Sequence, residues 1–190
     1  MVTSLDKNTA LILIDLQNGI VNFPITKPAK EVLAKAAQLV SAFRKENLTI
    51  VVVNVDPTKS LLNDLRKDVK TQFVSFPDKW YEIAPEIKTT DADIFITKNA
   101  WNAFSNPALD LALKKRGITG IVLAGISTSV GVEGTARAAS ERGYNLTFAI
   151  DAMADTNADA HEHSVKRIFP RIGEVDDTEK IIEKLIGQRV

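Results

Sequence analysis

The chain has 190 residues, 45% hydrophobic and 25% charged, which is long enough for one well-buried core and short for two. Lys+Arg and Asp+Glu balance at 24 each and are interspersed, leaving no basic field to recruit nucleic acid or an anionic membrane. There is no cysteine, so disulfides, thiolate zinc sites and a thiol nucleophile are excluded.

The opening "MVTSLDKNTALILIDLQNG" carries Asp6 and Lys7 ahead of a short apolar run. It lacks the features of a signal peptide and the roughly 20 apolar residues of a membrane span, so a cytoplasmic location is expected. Within it "ALILI" (10–14) reads as a strand buried on both faces, ending at Asp15. "KPAKEVLAKAAQLVSAFRKEN" places Val32, Ala36, Leu39, Val40 and Phe43 at helical spacing, with Pro28 in the first turn. "LTIVVVNVD" (48–56) and "DADIFITK" (91–98) are the second and third strands, ending at Asp56 and Lys98. The least regular stretch, Pro57 to Thr90, contains Trp80 and Tyr81 and is expected to form a lid or an oligomer contact.

"PALDLALKKRG" is a helix closed by Gly117, and "ITGIVLAG" a fourth strand. "SVGVEGTARAASERG" is a helix stopped by Gly143, and "NLTFAIDA" a fifth strand. Residues 157–169 read as helix, "RIGEV" as a short last strand and "TEKIIEKLIGQ" as a final helix. This alternation predicts an α/β fold, a three-layer sandwich with a mostly parallel central sheet of about six strands, within a single domain spanning 1–190.

In open α/β sheets, ligands bind beyond the carboxyl ends of the strands. Asp15, Asp56, Lys98 and the turn from Gly125 to Gly131 all fall at that edge. A carboxylate and an ammonium held there would share a proton, with pKa values set by burial and by each other. Each also has a plain structural reading: a turn or cap for an Asp, a solvated surface residue for a lone Lys. Ser127, Thr128 and Ser129 would cap the following helix, whose N–H groups also attract anions. A Rossmann dinucleotide site does not fit, because Gly125, Gly131 and Gly134 fall six and three apart and the first strand ends in "DLQNG".

The order and spacing of these segments resemble the isochorismatase-like hydrolases, the superfamily that includes nicotinamidases and N-carbamoylsarcosine amidases. "ALILIDLQNG" is similar to the family's opening strand. The block from "FITKNAWNAFSNPALDLALKKRG" through "ITGIVLAGISTSVGVEGTARAASERGYNLTFAIDAMAD" is similar to its central region, and "HEHSVKRIFPRIGEV" to the tail of one bacterial subfamily. The resemblance implies an isochorismatase-like (Rossmann-like) fold and an Asp–Lys–Cys site in which Asp15 and Lys98 are catalytic. Aligning "TSVGV" on the family motif puts Gly131 at the Cys position, so the place of the nucleophile is vacant and the chain joins a Cys-lacking subfamily.

Without a thiol, amide hydrolysis through a thioester has no attacking atom. Ser127 and Ser129 are nearby hydroxyls, but each needs a base and neither occupies the motif position. The family's true isochorismatases also lack the Cys; by resemblance to them Asp15 would act as a general acid on a small anionic substrate, protonating an enol-ether carbon, with Lys98 positioning it. Burial would raise the Asp15 pKa and Lys98 would lower it. Phe23, Trp101 and Phe104 are candidates for the pocket wall, Phe104 alternatively for core packing. Ile126 and Ser127 complete the substrate-binding set, joined by the cis peptide that the family implies.

The nicotinamidase metal site would draw on Asp56, but no His follows it, while His161 and His163 stand two apart on a helix and are expected at the surface. No metal or other cofactor is expected. The partners expected are a small-molecule substrate and further copies in a dimer or tetramer, with Trp80 reaching a neighbour's site, and neither nucleic acid nor membrane. The alternative is an inactive member that binds a metabolite or serves as a scaffold.

Overall fold

The computed structural model describes residues 1–69 and 75–187; the last residue of the expected final helix, Gln188, and part of the 57–90 stretch lie outside them. Six strands form one sheet, all pairs parallel: β1 (Thr9–Ile14), β2 (Thr49–Val55), β3 (Ile94–Lys98), β4 (Gly120–Ile126), β5 (Asn145–Ala154) and β6 (Glu174–Asp176). Their order is β3-β2-β1-β4-β5-β6. The helices are α1 (Asn18–Val21), α2 (Ala29–Lys45), α3 (Asp78–Tyr81), α4 (Pro107–Lys115), α5 (Glu133–Ser140), α6 (Ala158–His163), α7 (Phe169–Ile172) and α8 (Thr178–Gly187).

β1 is buried at every position because the two faces of its pleat feed two cores. Leu11 and Leu13 pack with Val32, Ala36, Leu39 and Phe43 of α2 and Ile181 and Leu185 of α8. Ala10, Ile12 and Ile14 pack on the other side with Leu109 and Leu113 of α4, Ala136 and Ala139 of α5 and Phe169 of α7. Each such Leu, Ile or Phe contributes roughly 1.5–3 kcal/mol on burial. The expected three layers follow from this division of the β1 side chains between the two cores.

β3 is an edge strand and reads differently: Ile96 and Lys98 are buried while Phe95 and Thr97, which alternate with them, are exposed. The strand order reverses between β1 and β4, so the chain leaves their carboxyl ends in opposite directions and opens a crevice there. No described helix is long and apolar enough to cross a membrane.

Candidate active site

Asp15 follows β1 with φ 54°, a left-handed conformation that Asp adopts more readily than most residues. Its amide donates to Val53 O at 2.9 Å, which ties the turn to β2. Lys98 ends β3, two strands away, and its long side chain crosses the end of β2 to place Nζ 2.7 Å from Asp15 Oδ2. Asp15 is 5% exposed and Lys98 3%. The ammonium also donates to Ala100 O at 3.3 Å, whereas Asp15 Oδ1 is buried without a hydrogen-bond partner. Burial dominates the carboxyl's pKa, lifting it to about 6 against the opposing charge and hydrogen bond of Lys98.

The third wall is the turn after β4. The Ile126–Ser127 peptide is cis, and residues Thr128–Val132 form a π-helical turn that runs into α5. Thr135 Oγ1 donates to Gly131 O at 2.7 Å and accepts from Ala103 N at 3.0 Å, fixing the turn to the loop after β3. A side chain at 131 would not meet open space: a Cβ there would lie 2.9 Å from Ile14 Cγ2 and 3.2 Å from Asp15 Oδ2. The vacancy expected from the missing Cys is therefore taken up by Ile14 and by the carboxyl itself.

Asp15, Lys98, Gly131, Phe23, Trp101, Ile126 and Ser127 all line one cavity of about 510 Å³, with Trp80 and Val130 among the further walls. Phe104 does not. The 3₁₀ turn Ala103–Ser105 points it into the core beneath α4, where its ring lies 5.9 Å from that of Tyr144 and 4.8 Å from the Arg142 guanidinium carbon. Phe104 is thus a packing residue and is withdrawn from the binding set.

Trp80 reaches the cavity of its own chain, without the help of a neighbour. Its indole lies against Gly19, where a Cβ would come within 2.1 Å of the ring, and it stacks on Phe76 at 4.3 Å. Gly19→Ala should therefore push Trp80 aside and lower stability by about 1–3 kcal/mol in urea titration; an unchanged midpoint would mean the ring swings free at no cost.

Two polar residues that sequence reasoning passed over, Gln17 and Asp155, help build this edge. Gln17, fully buried, clamps the end of β2: its amide donates to Val55 O and its carbonyl accepts from Val55 N at 2.7 Å. Asp155, after β5, accepts from Ser129 N at 2.6 Å. Asp56 turns to its own loop, accepting from Thr58 and pairing with Lys59 at 3.1 Å. His163 is exposed as expected, but His161 is half-buried and bonded to Thr128, contrary to a surface position. Among the described residues no three His, Asp or Glu side chains converge as metal ligands.

Residues 9–180 match the family description "Isochorismatase domain". The chain belongs to the isochorismatase family. It is 42% identical over 182 residues to the uncharacterized isochorismatase family protein YwoC of Bacillus subtilis, covering 94% of this chain and 95% of that protein. It is 40% identical over 184 residues to the uncharacterized family protein YecD of Escherichia coli O157:H7, at 94% and 97% coverage. The structure of an isochorismatase family protein from Burkholderia thailandensis superposes with TM-score 0.92 and 35% identity, over 98% of this chain and all of that one (100%). This isochorismatase-family chain therefore has the α/β fold of its relatives, a single six-stranded parallel sheet between helices.

Proposed function

We propose that the chain, as one isochorismatase-like domain of a Cys-lacking subfamily, hydrolyses a small anionic molecule through Asp15 and Lys98 without a covalent thiol intermediate. The observation that carries this reading is the buried 2.7 Å Asp15–Lys98 pair on the cavity wall, with the carboxyl pKa lifted to about 6. A carboxyl poised there is partly protonated near neutral pH and suits general-acid work. Its Oδ1, opposite the lysine contact, is the oxygen free to carry the proton.

On a vinyl ether, that proton would pass to the enol-ether carbon and leave an oxocarbenium ion. Water would add to the cation and give up one proton, which restores the Asp15 carboxyl, and collapse of the neutral hemiketal would release a ketone and an alcohol. Among the described residues, two lysines, Lys67 and Lys98, line the cavity against one carboxyl, which favours an anionic substrate.

The experiment is turnover of isochorismate, other vinyl ethers and small amides by the purified chain. With Asp15 as the acid, kcat/KM falls about tenfold per pH unit above about 6; activity that rises through that range contradicts an acid role. The missing thiol favours one competing reading, an inactive metabolite binder or scaffold, which predicts binding without turnover of any compound. The exposed Phe23, Trp101 and Val130 on the cavity wall accord with a homo-oligomer, dimer or tetramer, which light scattering reports.

A further inference from the structure

The turn that carries Ser127, Val130 and Gly131 into the cavity is hung from its outer side. Residues Thr128–Val132 form a π-helical turn, wider than an α-helical one and rare outside single-turn bulges. Two tethers come from the end of β5: Asp155 Oδ2 accepts from Ser129 N at 2.6 Å, and Ala154 O accepts from Thr128 Oγ1 at 3.0 Å. A third comes from α6, whose His161 places Nδ1 2.8 Å from the same Thr128 oxygen. Thr128 is fully buried.

A hydroxyl has one hydrogen to give. A carbonyl oxygen only accepts, so the Thr128 hydrogen goes to Ala154 O, and the contact with His161 is a hydrogen bond only if Nδ1 carries a hydrogen. We propose that His161 is a positioning residue: its Nδ1–H donates to Thr128 Oγ1, which donates to Ala154 O, and this relay holds the 127–132 turn against the cavity.

The ring stays neutral through most of the working range. Burial and the charge of Lys27 lower its pKa, against Asp155 at the end of β5 and Glu162 on its own helix. Nε2 is then left as the unprotonated nitrogen. Protonation at low pH adds a hydrogen to Nε2 and leaves the Thr128 bond in place, so the relay is a fixed strut rather than a switch. Any catalytic consequence rests on the hydrolase reading, but the strut itself is visible without substrate, so the two can fail separately.

The test uses ¹⁵N-labelled full-length chain with His163→Gln, which leaves one histidine. Long-range ¹H–¹⁵N spectra at pH 8 should show His161 with a protonated-type Nδ1 and an unprotonated-type Nε2; the reverse tautomer overturns the proposal. His161→Leu should then speed hydrogen exchange at Val130 and Val132, whose amides both donate to Ser127 O, by roughly tenfold. His161→Asn, which keeps an N–H at the Nδ1 position, should restore slow exchange. Unchanged exchange in the Leu variant, or no rescue by Asn, overturns the relay.

Discussion

Asp15→Asn is expected to remove about 10²–10⁴-fold of kcat with KM little changed, on whichever substrate the wild-type chain turns over. Asn tolerates the left-handed backbone at this position and keeps an oxygen for Lys98, so the change isolates the proton. The same substitution should act on stability with a defined sign. A carboxyl whose pKa rises from 3.8 unfolded to about 6 folded binds more protons in the folded state between those values. Its contribution is therefore fully present below about pH 4 and is lost as pH rises through about 6. At about 1.36 kcal/mol per unit, wild type loses on the order of 3 kcal/mol relative to Asp15→Asn across that window. Urea titrations of both proteins at pH 4, 6 and 8 check this: the variant should gain on wild type with increasing pH. A constant difference would show that burial does not hold the carboxyl protonated.

The second large effect belongs to Gly131. In Gly131→Ala the new methyl would sit 2.9 Å from Ile14 Cγ2 and 3.2 Å from Asp15 Oδ2, the oxygen that holds Lys98. Ile14 is fully buried in β1 and has little room to retreat. Overpacking of this kind lowers stability by about 1–3 kcal/mol. Displacing the acid by a fraction of an ångström to an ångström lowers kcat/KM by up to about 10²-fold. Activity and denaturation midpoint should fall together. Full activity in the alanine variant would mean that the absent side chain does nothing for the placement of Asp15. The glycine is thus better described as clearance for the carboxyl than as the scar of a lost thiol.

What could be read from the sequence was whatever repeats locally. The run "ALILI" is apolar at every position because both of its faces are covered, and the helical stripe of α2 runs from Val32 to Phe43 as its spacing requires. The helix after β4 was legible but its start was not, since a wide turn at 128–132 leaves no mark in a 3.6-residue period. Asp15 and Lys98 are 83 positions apart, and only the strand order brings them to 2.7 Å; resemblance named the pair before geometry joined it. Phe104 stayed open between pocket wall and core packing because an aromatic in a short irregular turn has no face that spacing can assign. The i, i+2 spacing of His161 and His163 showed that the two rings diverge, but not which of them faces Thr128. Gln17 carried a weak signal, a polar residue three after a strand end, that became specific only when Val55 was seen across from it.

The central claim is that burial outweighs Lys98 at Asp15, and the carboxyl itself reports it without any substrate. Its ¹³C resonance, assigned by difference from Asp15→Asn, can be followed from pH 3 to pH 9. A titration centred near 6 is the predicted result. A carboxylate already fully ionised at pH 4 would contradict the account, because the lysine would then have won and no proton would be held for transfer.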